Sequence, residues 1–301
     1  MDLDPEVRLR AAALAYLDEI RRRSGGFVTW QDLQAFTFDE RRIPLITQRG
    51  IRTVSGVPGA LSIFTTYASS PDRRPYDDEL GGDDFPRYKW RGEDPYHYDN
   101  IALRHSMDVG HELIWFVGVA TGVYEARYPV WLVAEEPDKQ QFVVALDEDL
   151  RAWHPGLESN PHSPLRRLAK RIVNVRLHQP VFRKRVLMAY ERTCALCRLR
   201  QLPLLDAAHI RPEQRGGEPI IPNGIAMCAI HHRAFDANIL GVDPRYQVHI
   251  RRDVLSELDG PTLQHALQGL HGGVLILPRR RAEHPRADLL EERYEEFSAA
   301  G

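Results

Sequence analysis

Residues 193–236 read TCALCRLRQLPLLDAAHIRPEQRGGEPIIPNGIAMCAIHHRAFD. The stretch holds all three cysteines of the chain, Cys194, Cys197 and Cys228, together with His209, Asn223, His231 and His232. Three cysteines are too few for a disulfide framework, and an odd number leaves one unpaired. A CxxC pair with a distant third cysteine reads instead as metal ligation. Cys194-x-x-Cys197 and Cys228-x-x-His231 make two knuckles, and three thiolates with one imidazole suit a tetrahedral Zn²⁺ in a structural role. A lone CxxC is a weak signal. Two knuckles that consume every cysteine are a strong one.

The zinc does not need His209, Asn223 or His232, which lie in LLDAAHIRP, IPNGIAMC and HHRAFD. With these residues the segment resembles the HNH nuclease family. A strand ending in HI-x-P, a GG turn, an N-G-I-A-x-C lead into a helix and a histidine directly after the last zinc ligand all carry the resemblance. It implies a ββα-metal unit, in which a two-stranded ribbon and a helix grip one divalent cation, Mg²⁺ or another. It assigns His209 as the general base that takes a proton from the attacking water, a task suited to a near-neutral pKa. It assigns His232 as a ligand of the catalytic cation, which stabilises charge on the scissile phosphate and the leaving 3′ oxygen. It implies that Asn223 ties down the loop between strand and helix and so orients His209. Adjacent residues on a helix point about 100° apart, so His231 can face zinc while His232 faces the active site.

One position departs from the family's commonest pattern. A metal-ligating Asp or His often immediately precedes the base, and here that residue is Ala208. Two carboxylates are available as substitutes. Asp206 shares a strand face with Ala208. Asp236 lies four residues beyond His232 on one helix face, and side chains at that spacing converge on one ion. Asp236 is favoured, with Asp206 as the alternative. Ala208 also leaves room for a zinc-stabilised DNA-binding protein whose nuclease centre has decayed.

Upstream, VRLRAAALAYLDEIRRRSGG predicts an amphipathic helix with Val7, Ala11, Leu14, Leu17 and Ile20 on its apolar face and Gly25 and Gly26 as its stop. Thr29 and Asp32 make a capping signal for a second short helix. This helical unit reads as a packing element, with a winged-helix-like DNA contact as the alternative. From Ile46 to about Leu146, segments such as ELIWFVGVATGVYEARYPVWLVAEE are rich in β-branched and aromatic residues and predict a mostly β domain. Between its strands lies a long polar loop with Tyr76, Tyr88, Trp90, Tyr96 and Tyr98. Such a loop is either a surface insertion or a functional surface. RYKWRGEDPYHYDNIALRHSMDVGHELIWFVGV resembles, more weakly, the SRA-like base-flipping domains fused to HNH nucleases in bacterial modification-dependent restriction enzymes. That resemblance implies a pocket that receives an extruded modified base, 5-methylcytosine or a relative. Aromatic side chains stack on the base and an acid accepts from cytosine N4. Tyr88, Trp90, Tyr98 and Asp99 are the candidates.

The expected architecture is therefore α+β. Residues 1–150 form an SRA/PUA-like, mostly β recognition domain with a short helical N-terminus, 151–164 a Pro-rich linker, and 165–301 the ββα-metal HNH domain with structural zinc. Ahead of the first knuckle, Arg166, Arg167, Lys170, Arg171, Arg176, Arg183, Lys184, Arg185 and Arg192 face a single acid, Glu191. This run reads as a phosphate-tracking face, with Arg183, Lys184 and Arg185 on a helix leading into the CxxC. QVHI reads as a strand of a short pair after Asp236, and the tail as a charged helix.

At 43% apolar and 27% charged the chain reads as an ordinary soluble protein, and its net charge of −2 alone says nothing for nucleic acid. No apolar run reaches the roughly 18 residues of a membrane span, and MDLDPEVRLR has no signal-peptide core, so the protein is expected to be cytoplasmic. The leading function is an endonuclease acting on double-stranded DNA with a modified cytosine. The runner-up keeps the nuclease with a different reader, for ordinary sequence, RNA or another modification. One HNH centre cuts one strand, so double-strand cleavage calls for a homodimer or two binding events.

Overall fold

The computed structural model describes residues 4–67, 85–151, 172–173, 177–258 and 260–300. Tyr76, most of the expected linker, and Arg166, Arg167, Lys170, Arg171 and Arg176 lie outside the described residues. The chain divides into two compact units, residues 1–181 and 182–301.

The first unit opens with helix α1 (Pro5–Ser24). Asp4 caps its start by accepting from Glu6 N, and Gly25 ends it in the left-handed region at φ 65°, where glycine carries no Cβ penalty. Its buried face is Leu9, Ala13, Leu17 and Ile20, whereas Val7 is 50% exposed. The expected face is thus right at Leu17 and Ile20 but turned at its start, where Val7 and Ala11 face outward. The phase is set by a buried arginine. Arg10 Nη1 donates to Glu112 O at 2.7 Å and Nη2 to Ala60 O at 3.0 Å, so this side chain occupies the inner face. Strand β1 (Val28–Thr29) leads into α2 (Trp30–Gln34), whose capping box is formed by Thr29 and Asp32 as expected.

Strands β2 (Ile51–Thr53), β3 (Ala60–Thr65), β4 (Arg87–Lys89), β5 (Leu113–Ala120), β6 (Val123–Glu136) and β7 (Gln141–Ala145) join β1 in a seven-stranded sheet. Its order is β2-β3-β5-β6-β7-β4, with β1 added to β6. Only the β3–β5 pair is parallel. Strand β6 pairs with β5 along its first half and with β7 along its second, and register shifts interrupt both ladders. Bulges of this kind raise the local twist, and the sheet curls into a half-barrel. Strand β5 (LIWFVGVA) is buried at every position up to Val119, so both sheet faces are covered. On one face Leu61, Ile114, Phe116, Tyr124 and Ala126 pack against α1. Each large apolar side chain so buried contributes about 1.5–3 kcal/mol. On the other face Trp115 Nε1 donates to Thr65 Oγ1 at 3.0 Å and the Trp115 ring meets Tyr88 edge-on. Helix α3 (Tyr98–Val109) precedes β5, and His97 caps it by accepting from Asp99 N.

The second unit begins within α4 (Gln179–Ala189). The ribbon is β8 (Leu205–His209) paired antiparallel with β9 (Gly224–Cys228), and α5 (Ala229–Asp236) follows directly. The expected strand pair is β10 (Leu240–Val242) with β11 (Val248–Ile250), and the charged tail is α6 (Ala287–Ala299). The whole is α+β, as the sequence predicts. Among the described residues no helix is long and apolar enough to cross a membrane.

An internal ion pair closes the edge of the half-barrel. Arg87 on β4 grips Glu136 at the end of β6 through Nη2–Oε1 at 2.8 Å and Nε–Oε2 at 3.1 Å, and Gln141 Nε2 donates to the same carboxylate at 2.6 Å. The Arg87 hydrogen bond holds the Glu136 carboxyl down to about 2. A depressed folded-state pKa adds stability that is fully present above the unfolded value and fades as pH falls toward the folded one. Glu136→Gln should therefore lower the melting temperature of the first unit at pH 7. The deficit relative to wild type should shrink between about pH 4.5 and 2, as calorimetry across that range would record.

Candidate active site

The four zinc candidates converge. One ligand atom from each of Cys194, Cys197, Cys228 and His231 lies within 4.8 Å of all the others. His231 Nδ1 stands 3.3 Å from Cys194 Sγ and 3.2 Å from Cys228 Sγ. Its Nε2 lies 2.8 Å from Ala266 O. A hydrogen bond there puts the proton on Nε2 and leaves Nδ1 as the ligating atom. Cys228 N donates to Cys194 Sγ at 3.3 Å. A hydrogen bond from Cys228, together with backbone N–H groups of Leu196, Cys197 and Cys228, holds the Cys194 thiol below its ordinary range despite burial. Three thiols and one oriented imidazole in a closed, mostly buried cluster have the donor chemistry of a structural zinc site. The knuckles also bind distant chain together. Ala195 N donates to Ala226 O at 2.8 Å, and Ile276 N donates to Ala195 O at 2.9 Å.

His231 is buried, and its neighbour His232 faces another way, as their adjacency on α5 requires. His232 lies between the two carboxylates. Its Nδ1 is 3.3 Å from Asp206 Oδ2 on β8, and its Nε2 is 3.5 Å from Asp236 Oδ2 at the end of α5. Both alternatives for the missing ligand thus reach His232, by opposite ring edges. The hydrogen bond to Asp206, then the charge of Asp236, raise the His232 pKa against its burial. Burial pushes Asp206 up, but His232, the Ala207 N–H and Arg183 outweigh it and keep the carboxyl below its usual range.

His209 ends β8, opposite Gly224 in the ribbon. Burial depresses its pKa, with the nearby charge of His232 adding to the effect, while Glu213, Asp206 and Asp236 act in the opposite sense. A depressed pKa keeps the imidazole neutral, the form able to accept a proton. Its Nε2 lies 4.0 Å from Glu213 Oε1. Phe182 of α4 stacks on the ring at 3.9 Å, with the planes 19° apart. Asn223 is 1% exposed. Its Oδ1 accepts from Arg211 N at 2.9 Å, and its Nδ2 donates to Arg211 O at 3.0 Å and Glu218 O at 2.8 Å. Its main-chain oxygen accepts from Ile210 N at 3.0 Å. Asn223 therefore clamps both ends of the loop that follows His209.

Other candidates stand differently from their expected use. Arg183 donates to Leu202 O and Leu205 O and pairs with Asp206 at 3.3 Å. Lys184 and Arg185 are only 5% and 6% exposed. The expected phosphate-tracking face is not presented by Lys184 and Arg185, because α4 is buried nearly all round: Val181, Phe182, Val186 and Leu187 are buried along with them. Tyr88 is also a correction. It is 6% exposed, and its hydroxyl donates to Gly50 O at 2.7 Å, so it belongs to the core of the sheet and offers no stacking face. Tyr98 and Asp99 lie in the first turn of α3, and Trp90 is reached by Arg104 from farther along the same helix. Arg104 covers the Trp90 ring at 5.1 Å, and Arg49 Nη1 donates to Tyr98 Oη at 2.6 Å. Asp99, buried in the first turn of α3, lies 3.2 Å from Arg91 Nη1. Burial raises the Asp99 pKa, and the charges of Arg91, His97 and Arg49 oppose that. Sequence reasoning missed Phe182 and Glu213. Glu213 had a signal, four residues beyond His209; Phe182, on a separate helix, had none.

The ribbon and the helix form a ββα unit with a two-knuckle cluster that could hold a metal ion and a histidine between two carboxylates at its mouth. Residues 194–243 match the family model described as HNH endonuclease, and the second unit carries an HNH endonuclease domain. No curated protein matches the chain. Among solved structures the chain is similar to "Modification dependent TagI restriction endonuclease", with 17% identity, a TM-score of 0.29 and coverage of 93% of this chain and 90% of that one. It is also similar to "Structure of the Type IV phosphorothioation-dependent restriction endonuclease ScoMcrA", with 15% identity and a TM-score of 0.23. There it covers 81% of its own length and 54% of the other chain.

Cys194→Ser should release the bound metal and abolish cooperative melting of the second unit, because metal binding in such clusters is folding free energy. Elemental analysis with thermal denaturation would check this, and a metal-free variant that melts normally would contradict it.

Proposed function

We propose that the protein is a modification-dependent DNA endonuclease. In this reading the HNH domain hydrolyses a phosphodiester bond, and the half-barrel unit selects duplex DNA carrying a modified cytosine such as 5-methylcytosine. The observation that carries the cleavage half is the setting of His232 between Asp206 and Asp236, beside a depressed His209 whose loop is clamped by Asn223. The recognition half is supported by Tyr98 and the buried carboxylate of Asp99 in the first turn of α3, and by Trp90, whose ring Arg104 of the same helix covers. We assign reading to residues 1–150, with an SRA-like role, and cutting to residues 165–301. The structural ion is taken as Zn²⁺.

His209 takes a proton from a water molecule, and the water oxygen attacks phosphorus. The P–O3′ bond breaks and the 3′ oxygen leaves with its electron pair. His232, with Asp206 and Asp236, would hold a divalent cation such as Mg²⁺, which supplies charge stabilisation for the phosphate and the leaving oxygen. Asn223 fixes the loop after His209 and so keeps the base in register with the ligands on α5. A single centre cuts one strand, and a double-strand break takes two copies of the chain or two binding events.

The deciding experiment compares duplexes identical except for plain cytosine, 5-methylcytosine or 5-hydroxymethylcytosine, in Mg²⁺, with His209→Ala alongside. Nicking should depend on the modification, and His209→Ala should be slower by about 10²–10⁴-fold. Equal cutting of all three duplexes would remove the modified-base reading. A wild type no faster than His209→Ala would remove the nuclease. The two carboxylates are separated by Asp206→Asn and Asp236→Asn. The larger rate loss is expected at Asp206, which is also held by Ala207 N and Arg183, and of order 10²-fold. Single-turnover kinetics of the pair would rank them.

A further inference from the structure

We propose that Phe182 is a positioning residue for His209, one wall of a slot that sets the plane of the imidazole. The inference rests on reading His209 as the base. It lies outside the segment that carries the family resemblance, since residues 194–243 match the HNH model and Phe182 is upstream, on α4.

The slot is visible in three contacts. Phe182 is 2% exposed, and its ring lies nearly parallel to the His209 ring with centroids 3.9 Å apart. Across the ribbon from His209 is Gly224. A Cβ there would come within 2.5 Å of Val186 Cγ2 and 2.8 Å of Phe182 Cζ, so the missing side chain is what lets α4 lie flush against the end of the ribbon. Behind His209, the Ile210 N–H is tied to Asn223 O, so the backbone that carries the ring is held as well.

An imidazole base is commonly oriented by a hydrogen bond from one ring nitrogen to a carboxylate or carbonyl. Among the described residues His209 Nε2 is buried without a hydrogen-bond partner, and the Glu213 carboxylate stands off at 4.0 Å. The aromatic face takes over that task. Stacking leaves the ring free to shift within its plane but resists rotation about the Cβ–Cγ bond. It also keeps water from one face of the imidazole. Removing the Phe182 ring would let the imidazole turn and would open a cavity beside it.

The test uses full-length, metal-loaded protein and two variants, Phe182→Leu and Phe182→Met. Single-turnover nicking in Mg²⁺ should slow by about 10–100-fold, the scale expected when a catalytic group is displaced by about 1 Å. The dissociation constant for the same duplex in Ca²⁺ should hold within about twofold, since the lost interaction belongs to the rate step and not to binding. The second readout is the proton NMR signal of the His209 ring, identified by its disappearance in His209→Gln. Ring current from Phe182 should displace it upfield in the wild type, and both variants should return it toward ordinary values. Variants that cut at the wild-type rate, or that lose binding and rate equally, overturn the proposal. So do unshifted His209 ring protons in the wild type, a result that needs no variant to fold. If His209→Ala cuts like wild type, the base reading fails instead, and the NMR signal still decides whether the slot exists.

Discussion

Two histidines in succession on one short helix impose the constraint on which the second unit depends. His231 has its Nδ1 among three thiols and its Nε2 against Ala266 O, whereas His232 lies between Asp206 and Asp236. Neighbouring helix positions diverge by about 100°, so the rotation of α5 about its axis is set by the cysteine cluster and inherited by the other side. The ribbon enters the same arrangement from both ends. Cys228 closes β9 as a member of the cluster, and its ladder partner Leu205 opens β8, the strand that carries Asp206 and His209. Geometry at the mouth of the site is therefore referenced to a buried cluster through fewer than two turns of helix and one strand pair.

The first unit achieves its order by other means. Its sheet turns through β6, a single strand long enough to serve two ladders. Its polar interior is organised by arginines. Arg10 gathers main-chain oxygens from β3 and from the residue before β5, and Arg87 joins β4 to the end of β6. A guanidinium is suited to this because its planar fork satisfies several acceptors at once and it stays charged when buried. The Glu136 carboxylate accepts from both Arg87 and Gln141, which is the condition under which a mostly buried ion pair offsets its desolvation cost.

How far the sequence could be read followed from the range of the forces involved. The knuckles were legible because ligand identity and spacing are local, and the ribbon, α5 and Asn223 followed from the same short stretch. The competition between Asp206 and Asp236 was not legible. It turns on how a strand and a helix approach one another, and both carboxylates prove to reach His232 from opposite edges of its ring. Charge was the least faithful guide. Lys184 and Arg185 stand in a basic run that reads as surface, yet they are buried together with Phe182, Val186 and Leu187 on a helix covered on nearly every side. Tyr88 stands in an aromatic-rich polar stretch that reads as a loop, and its hydroxyl is spent on Gly50 O in the sheet. On α1 the apolar spacing gave the helix but not its rotation, because Arg10 takes an inward position that hydropathy assigns to solvent.

The ion pairs between the loop after His209 and α6 extend the site to a helix outside the ribbon and α5. Arg211 pairs with Glu292 and Arg215 with Glu296, each partner spaced one helical turn from the next, while Arg286 N donates to Pro222 O at 3.0 Å. Arg211 is also the residue whose backbone Asn223 grips. Helix α6 is thus a brace on the segment that carries the base. A change made on α6 can therefore reach the base at a distance: removing the Glu292 carboxylate would loosen the Arg211 end of the loop that Asn223 holds.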